Sequence, residues 1–228
     1  MHRVQKLLNN YGYCSRRRAE ELIRQRRVLI NGRVISLGDK ANQDDQIFVD
    51  GKLIKKEKKI YLMFNKPSGC ITALRDKKFK TVMDYLNLKE RVFPVGRLDY
   101  HTSGLLLLTN DGDFANKIMH PRYNLNKTYL VGLDKAINER EIRLIETGLK
   151  LEDGKTGRVK VKKRKSDLLE VTMHEGKNRI IRRIFEKLDF KLKFLSRLKV
   201  GDLSMGDLQP GEYRNLTEKD RKKIFKTN

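Results

Sequence analysis

Cysteine is scarce in this chain, and the residue spacings that usually hold a metal are missing. Cys14 and Cys70 are its two cysteines among 228 residues, and they form no CxxC pair. This excludes a disulfide framework and a zinc ribbon. The four histidines are scattered, without an HxxxH or HExxH spacing. We therefore expect the protein to hold no metal.

Long apolar runs are also missing. No stretch approaches the roughly 20 residues of a membrane span, and residues 1–23 lack the uninterrupted apolar core of a secretory signal. We therefore expect a cytoplasmic protein. The motifs GxxxxGK[ST], strand-anchored GxGxxG and GxSxG are absent as well. Their absence argues against nucleotide-dependent enzymes, methyltransferases and serine hydrolases, and we expect no cofactor.

Positively charged residues are in large excess in the sequence. Lysine and arginine number 52 against 29 acidic residues, which gives a net charge of +23. Such an excess goes far beyond what solubility requires and favours a polyanionic partner, above all nucleic acid. An anionic membrane surface is the competing interpretation, but no basic amphipathic segment stands beside a long apolar stretch.

The first 54 residues predict a small basic module. Residues 3–10 have helical apolar spacing, Ser15 is a good N-cap for a second helix, and "VLINGRVI" has the Asn-Gly signal of a hairpin. "QIFVDGKLI", residues 46–54, is predicted to be one last strand. Six arginines crowd the second helix and are the candidate RNA-binding residues: Arg16, Arg17, Arg18, Arg24, Arg26 and Arg27. The alternative is a solvated charged face, which we disfavour because these charges would repel one another without an anion.

The run "KKEKK", residues 55–59, is predicted to be a linker, and residues 60–228 a second domain. Strands are predicted in "IYLMFNKP", "GLLLLTNDGDF", "KTYLVGL" and "LLEVTMHEG", and helices in "TVMDYL", "DFANKIM" and "NRIIRRIFEKL". Strands and helices alternate without a regular βαβ repeat. We therefore predict an α+β fold with a largely antiparallel mixed sheet behind the small αβ module.

Several motifs carry a resemblance to known proteins. The stretch "YCSRRRAEELIRQRRVLINGRVI" resembles the S4-type RNA-binding domain. In the second domain, "NKPSG", "GRLDYHTSGLLLLTNDG", "NKTYLV" and "EGKNRIIRRIF" follow in the order found in RNA pseudouridine synthases. The whole chain is similar to the ribosomal branch of that family, in which an S4-type domain precedes the catalytic domain.

The resemblance implies a reaction and the residues for it. A uridine of ribosomal RNA, most readily 23S RNA of the large subunit, would become pseudouridine, with Asp99 as the essential catalytic residue acting on the sugar, on the base or as a base. Tyr129 would stack on the uracil, Arg182 would pair with Asp99, and Ile181 would pack beneath the tyrosine. Arg97, Lys66 and Arg179 are basic side chains that could hold the displaced RNA backbone. A monomer is expected.

Other interpretations stay open at this point. A non-catalytic RNA-binding or ribosome-assembly protein would explain the charge and the front module. The same isomerisation could act on 16S RNA. A methyltransferase with an S4-type domain is weakened by the missing cofactor loop. Two positions depart from the family pattern, because His101 and Ile180 stand where an acidic or amide residue and a glutamine are expected.

Overall fold

The computed structural model describes residues 1–42 and 44–226. Gln43 and residues 227–228, which the predicted domains include, lie outside the described residues. The chain divides into two compact units, of which the first comprises Met1–Tyr61, Leu88–Phe93 and Thr109–Phe114 and the second the rest of the described chain.

The first unit contains two helices and six short strands before residue 55. In chain order they are β1 His2–Arg3, α1 Val4–Asn10, α2 Arg16–Arg24, β2 Val28–Ile30, β3 Arg33–Val34, β4 Lys40–Ala41, β5 Ile47–Val49 and β6 Lys52–Leu53. One sheet has the order β3-β2-β5-β6, and β1 pairs with β4.

Local sequence explains these elements. The Ser15 hydroxyl accepts the Arg18 amide at 3.1 Å, so α2 begins where its cap predicts. Asn31 and Gly32 both have positive φ, at 48° and 84°, as a tight hairpin turn between β2 and β3 requires. The apolar sides of α1 and α2 close over the sheet in one buried cluster.

One expectation about this region, a single strand over residues 46–54, needs correction. Residues 46–54 form two strands instead of one, because Asp50 and Gly51 adopt positive φ and turn the chain between β5 and β6. Residues 55–59 have neither helix nor strand, yet they are held in place, since the Glu57 amide donates to Tyr11 O at 3.3 Å and Lys59 Nζ to Asn10 O at 2.9 Å.

The remaining elements lie along the rest of the chain. The strands are β7 Tyr61–Lys66, β8 Phe93–Val95, β9 Thr102–Thr109, β10 Lys127–Leu133, β11 Lys150–Leu151, β12 Gly154–Lys155, β13 Lys160–Lys165, β14 Leu168–Met173, β15 Leu192–Val200, β16 Leu203–Ser204 and β17 Tyr213–Asn215. The helices are α3 Gly112–Met119, α4 Glu139–Thr147, α5 Ile180–Glu186 and α6 Glu218–Ile224, with short 3-10 helices at Val82–Tyr85 and Pro121–Tyr123.

One large mixed sheet organises the second unit. Its order is β13-β14-β10-β15-β9-β7-β17, with β16 beside β15 and β8 beside β9. β15 runs parallel to β9, whereas β10 is antiparallel to both of its neighbours, β14 and β15. The predicted α+β fold with a small αβ module and a largely antiparallel mixed sheet is thus confirmed.

The position of β9 follows from its composition. Leu105, Leu106, Leu107 and Leu108 are all buried, so the strand has no polar face and lies in the middle of the sheet. On one face of the sheet, α4 and α5 contribute to an apolar cluster that includes Ile142, Ile181 and Phe185. Asp99 precedes β9 by three residues and is therefore attached to a rigid part of the fold.

Candidate active site

The loop that carries Asp99 is fixed through its backbone. The Thr72 hydroxyl donates to Leu98 O at 2.7 Å and accepts the Leu98 amide at 3.1 Å. The Thr102 amide donates to Asp99 O at 3.0 Å, at the start of β9. The Asp99 side chain is half-buried. The carboxylate therefore stands on a held loop and still reaches solvent.

Lys66 holds the Asp99 loop through hydrogen bonds to backbone carbonyls. This finding corrects the prediction that Lys66 contacts RNA. Its side chain is 0% exposed, and Nζ donates to Pro67 O at 3.0 Å, Tyr100 O at 3.5 Å and Thr102 O at 2.8 Å. Burial lowers the pKa of Lys66, and interactions with Cys70 and then with Asp99 partly oppose that shift. A buried ammonium that bonds backbone carbonyls cannot touch RNA; it positions the loop.

Arg182 reaches the Asp99 loop from α5. Its Nη2 donates to His101 O at 3.1 Å and to Thr102 Oγ1 at 3.4 Å. Burial is the main cause that lowers the pKa of Arg182, while attraction to Asp99 raises it. Within residues 1–42 and 44–226, no lysine or arginine nitrogen lies within 4.0 Å of the Asp99 carboxylate. The two side chains attract each other, but the predicted direct ion pair is not formed.

One nitrogen of Arg182 has no partner. Nε is buried and has no hydrogen-bond acceptor among the described residues. A buried donor without an acceptor is costly, and Nε of the neighbouring Arg183 is in the same condition. An acceptor brought by a ligand or by a turned Asp99 carboxylate would satisfy the Arg182 nitrogen.

Tyr129 and Ile181 belong to the same apolar cluster. Tyr129 lies on β10, paired with Val171 on β14 and with Arg197 on β15, and its half-buried ring packs against the cluster. Ile181 is 4% exposed and is part of that cluster. The structure thus brings Tyr129 and Ile181 to the same cluster, and the stacking of Tyr129 on a uracil stays a prediction.

Arg197 is a residue that the sequence reasoning missed. It is 4% exposed, and Nε donates to Leu105 O at 2.7 Å. In the sheet register it stands between Tyr129 and Gly104. Gly104 has φ +103°, and a Cβ there would lie 2.3 Å from Arg197 O. The basic residues of β15 kept this segment from being predicted as a strand. The available signal was the two-residue spacing of Leu195 and Arg197, which is typical of one face of a strand.

The other predicted site residues are at the surface. Arg97 is exposed, without a side-chain partner in the described part of the chain. Arg179 precedes α5 with φ 48°, and its exposed side chain pairs with Glu186 at 3.4 Å. The two departures from the family pattern fit the fold, since Ile180 is buried in the core and His101 contributes its backbone carbonyl to the bond with Arg182.

The arginines of the front module differ in availability. Five are exposed, and Arg27 is half-buried. Arg27 forms a bidentate pair with Asp50, at 2.7 and 2.6 Å, and Arg18 pairs with Glu21 at 2.9 Å. The sequence reasoning overlooked Asp50 as a partner. Among the residues described, four have no carboxylate partner: Arg16, Arg17, Arg24 and Arg26.

Among the described residues, no group of three or more His, Cys, Asp or Glu side chains could hold a metal ion. No helix in that part of the chain is long and apolar enough to cross a membrane.

A basic helix-and-hairpin module, followed by a mixed sheet with an aspartate on a fixed loop, is the arrangement expected of an RNA-modifying enzyme. The chain belongs to the RNA pseudouridine synthase family: residues 60–187 match the family described as RNA pseudouridylate synthase, and residues 2–47 match the S4 domain.

Individual relatives agree with this family. The chain is 43% identical to ribosomal large subunit pseudouridine synthase B of Bacillus subtilis (strain 168), over 98% of this chain and 96% of that protein. It is 36% identical to dual-specificity RNA pseudouridine synthase RluF of Escherichia coli (strain K12), over 98% and 78%. A crystal structure of a pseudouridylate synthase has a TM-score of 0.74 and 31% identity, covering 98% of this chain and 100% of that one.

Proposed function

We propose that this chain converts uridine to pseudouridine in ribosomal RNA of the large subunit, with Asp99 as the essential catalytic residue. The observation that carries the proposal is the Asp99 loop: a half-buried carboxylate fixed by Thr72 and Lys66 and attracted by Arg182. The name of the Bacillus relative supports the large subunit, and that of the dual-specificity relative leaves 16S RNA and other RNAs to be tested.

The chemistry matches what the site contains. The bond between uracil N1 and ribose C1′ breaks, the base turns, a bond from C5 to C1′ forms, the C5 proton leaves and N1 gains one. This rearrangement needs no second substrate and no cofactor. Asp99 acts as nucleophile or as base, and the Arg182 guanidinium is bonded to the loop that carries it.

The remaining roles belong to the same proposal. Tyr129 offers an aromatic face to the uracil, and support comes from its packing against the apolar cluster that contains Ile181. Arg97 and Arg179 are exposed cations that contact the displaced RNA backbone. The front module, residues 1–54, supplies phosphate contacts through its unpaired arginines, residues 55–59 join it to the catalytic domain, and that domain comprises residues 60–228. A ribosomal RNA substrate supports the expected cytoplasmic location.

Tritium release tests this function. The chain is mixed with 23S or 16S transcripts that carry tritium at uridine C5, and released tritium is counted. We expect release from the 23S transcript. Release from the 16S transcript alone would overturn the large-subunit assignment, and release from neither would favour the non-catalytic RNA-binding alternative that the +23 charge suggests.

A further inference from the structure

A cleft of about 570 Å³ lies on the face of the large sheet opposite the candidate active site. Tyr129 and Val171 pack into the apolar cluster on one face. Their neighbours Thr128 and Thr172 therefore project from the other face, where both line the cleft. The cleft is thus separate from the site around Asp99.

The charge of the cleft favours an anion. Lys117, Lys199 and Lys226 line it, with Asp202 as the one acidic residue among its lining. All three lysines are exposed, and within the described part of the chain none of them pairs with a carboxylate. Three lysines and one aspartate give the cleft a net positive charge, which favours the binding of a phosphate.

The polar groups of the cleft can bind other parts of a nucleotide besides its phosphate. The hydroxyls of Thr128 and Thr172 lie 3.0 Å apart, and either can be the donor. Because one O–H satisfies that contact, the other hydroxyl keeps a proton to donate. Asn124 and Asn126 add side-chain amides that have no partner among the described residues. Hydroxyl and amide groups of this kind read the edge of a base or a ribose.

An aromatic ring completes the set. Tyr123 lines the cleft and is 37% exposed. Arg122 holds the ring, with its guanidinium carbon 4.6 Å from the ring centre. Aromatic rings interleaved with lysines are the usual platform for an unpaired nucleotide, since every base can stack.

We propose that this cleft binds an unpaired nucleotide of the substrate RNA, with its phosphate on Lys117 and Lys199 and its base on Tyr123. The proposal rests on the proposed function for the identity of the RNA. A second contact on the opposite face of the sheet would let the enzyme hold the strand on both sides of the target uridine and would add to selectivity.

Matched lysine variants test the cleft. Lys117→Ser with Lys199→Ser is compared with Lys191→Ser with Lys219→Ser, which removes the same charge from exposed lysines outside the cleft. Both pairs are made with Asp99→Asn, so that binding is read without turnover. The dissociation constant for the 23S transcript is measured at several salt concentrations, and urea unfolding midpoints confirm equal folding.

We expect the cleft pair to bind roughly fivefold more weakly and to lose about 0.7 from the salt slope, since one single-strand phosphate contact contributes about 0.7. Photocrosslinking of a 4-thiouridine transcript should also place an adduct on Tyr123. Equal slopes for the two pairs would overturn the proposal. If the wild-type chain released no tritium from 23S RNA, the proposed function would fail, while the slope comparison would still report on the cleft.

Discussion

Replacing Lys66 by Met should separate loop positioning from RNA binding. Methionine has nearly the length of lysine and fills the same buried volume, so the change removes the ammonium and little else. Three backbone carbonyls lose their donor, and two of them, Tyr100 O and Thr102 O, belong to the Asp99 loop. The loop should therefore loosen while the exposed RNA-binding surface stays the same.

The expected magnitude comes from these bonds. A hydrogen bond to a charged group contributes about 1.5–3 kcal/mol, and losing three is partly offset because a buried ammonium no longer has to be desolvated. We expect the free energy of unfolding to fall by about 3 kcal/mol. A displacement of the carboxylate by about 1 Å can cost on the order of a hundredfold in rate, so kcat should fall by about that factor.

Single-turnover tritium release and filter binding measure the two effects separately. The rate should fall while the dissociation constant for the 23S transcript changes less than about twofold, because a buried side chain has no phosphate to lose. Thr72→Val, which removes the bonds to Leu98, should show the same pattern. Weaker RNA binding at an unchanged rate would refute this reasoning and restore Lys66 as an RNA contact.

Three further predictions concern stability and binding. Gly104→Ala should lower the urea midpoint by the equivalent of about 3 kcal/mol, because its Cβ would meet strand backbone at 2.3 Å. The control Gly154→Ala, at φ +107° with open space around it, should cost about 1 kcal/mol. Equal losses would contradict the close approach of the backbone at Gly104. Burial lowers the pKa of Lys127 to about 8 in the folded protein. The unfolded chain therefore binds the extra proton between about pH 8 and 10.5, and stability should rise with pH there, by about 2 kcal/mol from pH 7.5 to 9.5 relative to Lys127→Met in paired urea titrations. Glutamine at three unpaired arginines of the front module, Arg16, Arg17 and Arg24, should reduce the salt slope of RNA binding by about 2. Arg27→Gln should leave the slope unchanged, because Arg27 pairs with Asp50. An equal change for Arg27→Gln would mean that the pair with Asp50 breaks when RNA binds.

Local signals predicted much of the fold. Four consecutive leucines indicated the buried strand β9, Asn31-Gly32 the hairpin, and Ser15 the start of α2. Each depends on neighbours in sequence, which is why the chain alone reveals it. By contrast, Asp50-Gly51 was not recognised as a turn, and a single strand was predicted across it.

The site was harder, because contacts between distant residues decide it. Lys66 looked like an RNA contact, since nothing local shows that three carbonyls surround its ammonium. Strand β15 was missed because its basic residues conceal the alternation, and Arg197 was missed with it. The family resemblance implied that Arg182 pairs with Asp99. In the structure, the Arg182 guanidinium reaches the Asp99 loop but bonds His101 and Thr102.

Asp99→Asn tests the central claim most directly. The exchange keeps the size of the side chain and removes its negative charge. Tritium release from C5-labelled 23S RNA should fall by about 10³-fold or more, while RNA affinity stays near that of the wild type. Asp207→Asn, at an exposed carboxylate without a side-chain partner in the described residues, should keep the native rate. If Asp99→Asn released tritium at the native rate, Asp99 would not be the catalytic residue.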